Sequence, residues 1–375
     1  MPAAMNAPRP NAWIDDITAY VPGKASAPDG KPLIKLSSNE NPFGPPPSAV
    51  EAMRAAEATA HRYPEGSSAR LRAAIAQRYD LDPKRVLCGA GSDELLQLIA
   101  TAFLAPGDEC LIPQYAFSVY PIAARRVGAV PVEAPSRDYG ADVDALLAAV
   151  TPKTRVLMIA NPNNPTGTLL KRAEALRLHA GLRPDILLVL DGAYAEYLDP
   201  ETDDYEDGLA LSRVAPNVVT TRTFSKIHGL GGARVGWCHG AARVIEALNK
   251  IRGPFNVTSA AQAGAEAALA DVDFQRRSYD HNRRWLRWLE GELAGLCNHG
   301  IRVIPSAANF VMLSFPEDGP VTAEAAYKAL MADGYITRWL VPQGMTRELR
   351  VSVGTEDETR GVAAALRRFA EAAAG

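Results

Sequence analysis

Six short apolar runs, at residues 85–88, 109–112, 127–132, 155–160, 186–190 and 218–221, alternate with amphipathic stretches through the middle of the chain. Several are nearly continuous Val, Leu and Ile, the composition of strands buried on both faces of a sheet. Helical periodicity over residues 93–104, 142–150 and 171–180 separates many of them. That alternation predicts a mostly parallel sheet joined by helical crossovers and flanked by helices, an α/β architecture.

The flanks read differently. Up to about Lys35 the chain is rich in Pro and Gly with little periodicity, which predicts an extended arm. Helices are expected at 48–59, with Ser48 as N-cap, and at 68–79. Beyond residue 260 the pattern is helical through 295, including the Arg/Trp-rich stretch 283–289. Strand-like pieces follow at 301–304, 310–314 and 349–353, then a helix at 358–372, the mark of a smaller α+β domain. The expected organisation is an arm with part of the small domain over 1–45, a large domain over 46–270 and a small domain over 271–375.

At 375 residues, 47% hydrophobic and 22% charged, the chain has enough apolar material for a large core in more than one lobe. A net charge of -3 argues against a broad basic surface, so small molecules rather than nucleic acid are the expected partners. Cys88, Cys110, Cys238 and Cys297 lack C-x-x-C spacing, which points to neither zinc nor a disulfide framework, and no metal site is expected. Reduced thiols fit a cytoplasmic location. The Ala/Pro-rich start lacks the apolar core of a signal peptide, and no apolar run is long enough to span a membrane.

In a parallel sheet, ligands bind beyond the carboxyl ends of the strands, where Asn164, Asp191 and Lys226 all fall. Lys226 lies in Thr223-Phe224-Ser225-Lys226-Ile227-His228-Gly229, between a hydroxyl-rich strand end and a glycine-rich stretch. A lysine amine beside a carbonyl cofactor is a nucleophile, and the other residues fit pyridoxal 5'-phosphate. A buried carboxylate keeps the pyridine nitrogen protonated, and Asp191 is the candidate; its alternative is a turn-capping aspartate. Tyr194 and Asn164 suit hydrogen bonds to the phenolic oxygen, although Asn164 also suits an Asx turn. The phosphate needs oriented donors. Gly89-Ala90-Gly91-Ser92-Asp93-Glu94 after a strand and opening a helix supplies them, with Ser225 and Arg234 adding a hydroxyl and a bidentate cation.

Tyr115 after its strand reads either as a ring that stacks on the pyridine or as a core aromatic. Arg350 is a lone cation in an apolar strand, and a substrate carboxylate or an edge salt bridge would each satisfy it. Arg338 presents the same choice. Gly229-Leu230-Gly231-Gly232 comes too late for a first βαβ unit, which disfavours nicotinamide binding.

The ordered set N-x-x-N-P-T-G at 161–167, D-G-A-Y at 191–194 and T-F-S-K-I-H-G-L-G-G-A-R at 223–234 resembles the pyridoxal-phosphate-dependent transferases of fold type I. The likeness is to aminotransferases with the aspartate aminotransferase fold, over nearly the whole chain. Within that class, L-S-S-N-E-N-P-F-G at 36–44, R-Y-P-E-G at 62–66 and R-W-L…L-R-V-S-V-G-T at 338–355 are similar to histidinol-phosphate aminotransferases. Gln343-Gly344 stands where many of those members have Tyr-Gly. The resemblance implies a homodimer with active sites at the subunit interface, an amino donor and a 2-oxo acid as substrates, and transfer between L-histidinol phosphate and 2-oxoglutarate.

It also implies roles by match. Lys226 bonds the cofactor carbonyl, Asp191 pairs the pyridinium, and Tyr194 and Asn164 bond the phenolic oxygen. Tyr115 stacks on the ring. Ser92, Asp93, Ser225 and Arg234 hold the phosphate, and Tyr63 reaches it from the neighbouring chain. Tyr20, Asn39, Arg338 and Arg350 face the substrate. Aromatic amino acid aminotransferases and threonine-phosphate decarboxylases share the cofactor motifs and remain as alternatives.

Overall fold

The computed structural model describes residues 8–20 and 33–374. Its larger sheet has seven strands in the order Val86–Gly89, Gly236–Gly240, Val218–Thr223, Leu187–Asp191, Thr154–Ala160, Glu109–Pro113 and Val130–Ala134. Neighbours run parallel except at Gly236–Gly240, which is antiparallel to both of its partners.

Alternation along the strands explains why both faces are covered. Cys110, Ile112, Val156, Met158 and Val189 point to one side, against Leu95, Leu96 and Ile99 of helix Ser92–Phe103, Tyr120 of helix Val119–Arg126 and Leu248 of helix Ala242–Ile251. Leu111, Leu157, Ile159, Leu188 and Leu190 point to the other, against Val143, Leu146 and Leu178. With apolar residues on both sides, the strand ends become the place where polar side chains collect.

A second, antiparallel sheet holds Arg302–Ile304, Phe310–Ser314, Glu348–Ser352 and Arg338–Trp339 in that order. Helices Val272–Ala294, Ala323–Ala332 and Glu356–Ala374 cover it with Trp285, Leu289, Leu330 and Leu366. The segment Ile34–Lys35 pairs in parallel with Tyr335–Ile336. Backbone bonds from Leu36 N to Ile336 O (2.8 Å) and from Ser352 N to Leu36 O (2.9 Å) continue the attachment, delivering Ser37, Ser38 and Asn39 between the two sheets. Of the expected arm, residues 1–7 and 21–32 lie outside the described residues. Within 8–20, Trp13 Nε1 donates to Arg126 O at 3.2 Å.

Several expectations are corrected. The strand expected at 127–132 lies at Val130–Ala134, because helix Val119–Arg126 runs up to Val127 as its C-cap. Ser48 is not the N-cap. Pro46 is, with Pro47 in the first helical position, where a missing N–H costs nothing; Ser48 Oγ instead donates to Asp271 Oδ2 at 2.8 Å. Helices Val119–Arg126, Ala242–Ile251 and Ala323–Ala332, and strand Gly236–Gly240, were not anticipated.

Gly229 joins the lysine loop to the connecting segment. It sits at φ +68°, and a Cβ there would lie 2.0 Å from Gly44 O. Replacing Gly229 with Ala is expected to destabilise the protein by roughly 2–4 kcal/mol, combining left-handed strain with a forced backbone shift. Gly253→Ala, with no atom within 4 Å of its Cβ, is the silent control. Denaturation midpoints compare the two, and equal midpoints would remove the constraint.

Candidate functional site

A cavity of about 260 Å³ opens where the carboxyl ends of the large sheet face the small sheet. Asp191 ends its strand, Thr223 ends the next, and Ser92 opens the helix after Val86–Gly89. Asn164 and Lys226 lie in the loops after Thr154–Ala160 and Val218–Thr223. Arg338 and Arg350 come from the small sheet, and Ser38 and Asn39 from the connecting segment. The Asn164-Pro165 peptide bond is cis.

At the cavity floor, Asp191 is 3% exposed. Tyr120 Oη donates to its Oδ2 and Thr221 Oγ1 to its Oδ1, both at 2.9 Å. Burial raises the carboxyl pKa, while the two donors oppose the rise. Each oxygen retains a lone pair, so a ring N–H+ presented from the cavity finds both an acceptor and the opposite charge that burial withholds.

Lys226 Nζ donates to Ser38 O at 3.2 Å and lies 5.5 Å from the centre of the Tyr194 ring. Burial, then the neighbouring Arg350, pull its pKa down to about 8 from the usual 10.5. The side chain is half-buried rather than sealed, so the cavity retains access to the amine. Tyr194 is buried, and its phenol pKa is pushed up to about 12 by that burial. Its Oη accepts from Asn39 Nδ2 at 2.8 Å, which leaves the phenolic hydrogen free to donate inward.

Arg350 crosses from the small sheet to the large one. It donates to Asn164 Oδ1 and, at 2.8 Å, to Ser37 O, with its guanidinium 5.1 Å from the Phe310 ring centre. The bond to Asn164 Oδ1 orients that amide so that its NH2 end is the remaining donor. Arg350 is 7% exposed, has no carboxylate partner among the described residues, and its Nε has no acceptor. Its pKa falls to about 10 through burial and through Arg338, its cross-strand partner. Two cations directly opposite on adjacent strands repel each other unless an anion joins them.

The other end of the cavity is a cup of donors. Helix Ser92–Phe103 begins there with Gly91 as N-cap, leaving free backbone N–H groups at the positive end of the helix. Arg234 donates to Ser225 Oγ at 3.2 Å and pairs with Asp93 Oδ2 at 3.3 Å. A Cβ on Gly91 would lie 2.4 Å from Arg234 Nη2, so only glycine lets the arginine close over the helix start. Since the Asp93 carboxylate is occupied by Arg234, its contribution to an anion is through the backbone N–H. The amine, the paired carboxylate at the floor and the anion cup together match the carbonyl, pyridine nitrogen and phosphate of pyridoxal phosphate.

Tyr20, Asn39, Ser92, Asp93, Asn164, Asp191, Tyr194, Ser225, Lys226, Arg234, Arg338 and Arg350 line this cavity together. Tyr115 does not, and Tyr63 is expected only at the cup of a neighbouring chain. Tyr115 turns its ring against Tyr139, with centroids 5.1 Å apart, beside Met312 and Leu340, and Phe117 and Ser118 form the wall instead. Asn163 Nδ2 fixes the Tyr115 carbonyl at 2.8 Å, so the backbone turns there with the ring leaving the cavity. Tyr63 is 83% exposed and stacks on Phe255 at 4.7 Å, outside the cavity of its own chain.

Sequence reading missed Tyr120, Thr221, Ser38, Phe117 and Gln343. Tyr120 sits on an unanticipated helix. Thr221 carries a readable signal, because its strand partner in register is Asp191 itself.

The family model for "Aminotransferase class I and II" matches residues 31–366. A protein from Sphingopyxis alaskensis named histidinol-phosphate aminotransferase is 58% identical over 361 residues, 96% of either chain. The crystal structure of histidinol-phosphate aminotransferase from Sinorhizobium meliloti in complex with pyridoxal-5'-phosphate superposes with a TM-score of 0.88 at 28% identity, covering 98% of this chain and 100% of that one. A Thermus thermophilus aspartate aminotransferase single mutant gives 0.81 at 25% identity, covering 97% and 100%.

The lowered pKa of Lys226 has a measurable sign. Only the neutral amine is nucleophilic, so in the cofactor-free protein its modification by an amine-directed reagent should rise as pH increases through about 8. A bulk lysine does so above about 10. Peptide mapping of the modified protein against pH reads the midpoint, and a value near that of ordinary lysines would refute the site's electrostatics.

Proposed function

The chain belongs to the class I and II aminotransferases, and from that premise we propose that it moves an amino group between L-histidinol phosphate and 2-oxoglutarate. The products are imidazole acetol phosphate and L-glutamate, in histidine biosynthesis, and the cofactor is pyridoxal phosphate. The fold is that of aspartate aminotransferase. The observation that carries the substrate reading is the pair Arg338 and Arg350, buried opposite each other in register and both lining the cavity wall. Such a pair is built for an anionic substrate.

When bound, pyridoxal phosphate supplies a carbonyl for the amino group and a ring that takes up the electron pair released at the substrate α-carbon. Asp191, held by Tyr120 and Thr221, would keep the ring nitrogen protonated. Tyr194 and the NH2 end of Asn164 would donate to the phenolic oxygen, and Ser92, Ser225, Arg234 and the backbone N–H of Asp93 would hold the phosphate. Lys226 Nζ would hold the cofactor at its carbonyl and, as general base, would take the proton from the substrate α-carbon, a role that suits an amine with pKa about 8. Arg350 grips the α-carboxylate of 2-oxoglutarate, and Arg338 the phosphate of histidinol phosphate or the distal carboxylate of the oxo acid. Tyr20 and Asn39 complete the substrate side.

The working unit in this reading is a cytoplasmic homodimer. Tyr63, Phe255 and Ile251 are large apolar residues exposed at 83%, 43% and 42%, as expected of a surface that another copy covers. Tyr63 then reaches the partner's phosphate cup. Three buried, unpaired cysteines accord with a reducing compartment. The lobes divide near residue 270, where helix Ser259–Ala270 gives way to Val272–Ala294, with residues 46–270 as the large domain, 271–375 as the small one and 1–45 as arm and small-domain edge.

The deciding experiment follows the cofactor absorbance of the purified holoenzyme on adding L-histidinol phosphate, L-phenylalanine or O-phosphothreonine. Rapid conversion to pyridoxamine phosphate with histidinol phosphate, reversed by 2-oxoglutarate, is the expected result. Conversion by phenylalanine alone would move the protein to the aromatic aminotransferases. Lys226→Ala should abolish turnover, and substantial retained transamination would sink the assignment.

A further inference from the structure

Phe255 has φ +56°, in the left-handed region that a bulky side chain avoids, and is 43% exposed. Its ring stacks on that of Tyr63, with centroids 4.7 Å apart and planes 18° from parallel. It also packs over the same loop at Gly66, where a Cβ would lie 3.5 Å from the ring. Such a backbone conformation persists only where the surroundings impose it.

A network of polar bonds imposes it here. Asn256, the next residue, donates from Nδ2 to Glu94 Oε2 at 2.7 Å, and the same oxygen accepts from Ala90 N beside the anion cup. Arg252 donates to Asn256 Oδ1 at 3.1 Å and to Gly66 O at 2.6 Å. Gln262 Nε2 donates to Glu65 O at 3.0 Å, and the Glu65 carboxylate accepts from Ala69 N at 2.6 Å. The turn that carries Phe255 and the backbone that follows Tyr63 are therefore both fixed. Among the described residues nothing hydrogen-bonds the Tyr63 hydroxyl, and the ring stack is what orients it. One exposed stack returns about as much free energy as left-handed strain costs, so the pair adds little to the stability of the subunit itself.

Resting on the homodimer reading above, in which Tyr63 reaches the partner's cup, we propose that Phe255 is a positioning residue for the cofactor site of the other subunit. Its ring holds the Tyr63 phenol in a rotamer that directs the hydroxyl away from its own chain, to donate to the phosphate in the partner's cup. Side-chain freedom that Tyr63 would otherwise lose on binding is removed beforehand. Through Asn256 and Glu94 the same turn is anchored on the start of the chain's own cup, so each subunit presents Tyr63 from the framework that forms its own phosphate site.

The test measures the dissociation constant of pyridoxamine phosphate, the cofactor form that makes no bond to Lys226, by equilibrium dialysis against the full-length protein at a concentration where sedimentation shows a dimer. Y63F, which keeps the stack and loses the hydroxyl, should weaken binding by roughly 10-fold or more. F255L, which removes the stack, should weaken it by roughly 3- to 10-fold, and F255W, which keeps a ring, should stay within about twofold of the wild type. In the Y63F background F255L should add less than about 1.5-fold, because a residue that acts through the hydroxyl has nothing left to position, whereas a general structural role gives the same loss in both backgrounds. An unchanged constant in F255L, or an equal loss in the two backgrounds, would overturn the proposal. Should F255L not fold, F255G, which suits the positive φ, must show the same loss and the same dependence on Tyr63. A wild type that sediments as a monomer at every concentration, or a Y63F protein that binds as the wild type does, would refute the homodimer reading of Tyr63 and the proposal with it.

Discussion

A single buried guanidinium holds the site together. Arg350 rises from the small sheet, bonds Asn164 in a loop of the large sheet and Ser37 in the connecting segment, and lies against Phe310. A cation so desolvated, without a carboxylate beside it among the described residues, raises the free energy of the empty site. Asn164 and Ser37 supply neutral oxygens, enough to place the guanidinium but not to neutralise it. An anionic substrate supplies what those oxygens lack, and the positions of Asn164 and the 37–39 segment depend on the same contact.

The fold explains why this contact falls where it does. The large sheet is apolar on both faces, so the side chains that must meet water or ligand collect at the strand ends. The connecting segment is stitched to the small sheet by Ile34–Lys35 on Tyr335–Ile336, and from there it passes between the sheets. Asn39 thereby reaches Tyr194 with one end of its amide and Ser352 with the other. Arg234 crosses Gly91 to close the cup of donors, where a Cβ would meet its guanidinium.

Much of this was legible in the chain. Asn164 and Asp191 come at the ends of apolar runs and Lys226 follows Val218-Val219 and its threonine-rich end, and the parallel-sheet rule sends all three to one edge without reference to any relative. The strand Gly236–Gly240 was not legible, because Gly-Trp-Cys-His-Gly has neither an apolar run nor alternation; its strand state comes from pairing with neighbours on both sides. Tyr120 was missed for a different reason: its helix spans only eight residues and carries Pro121 in its first turn, so it reads locally as a turn after the strand. Tyr115 shows the limit of a motif. Its place in the sequence suits stacking on the ring, yet the side chain's direction is decided by Tyr139 and the small-sheet cluster, which local sequence does not encode.

Lys226 and Arg350 are linked by charge as well as by position. Arg350 lowers the pKa of Lys226, second only to burial, so in the empty site the lysine is partly neutral near pH 8 and ready to act as a nucleophile. As a general base it must instead accept a proton, and a nearby uncompensated cation opposes that. In the proposed reaction, an anionic substrate group on Arg350 would offset this positive field and raise the basicity of Lys226, while burial, the larger cause of its lowered pKa, would stay in place.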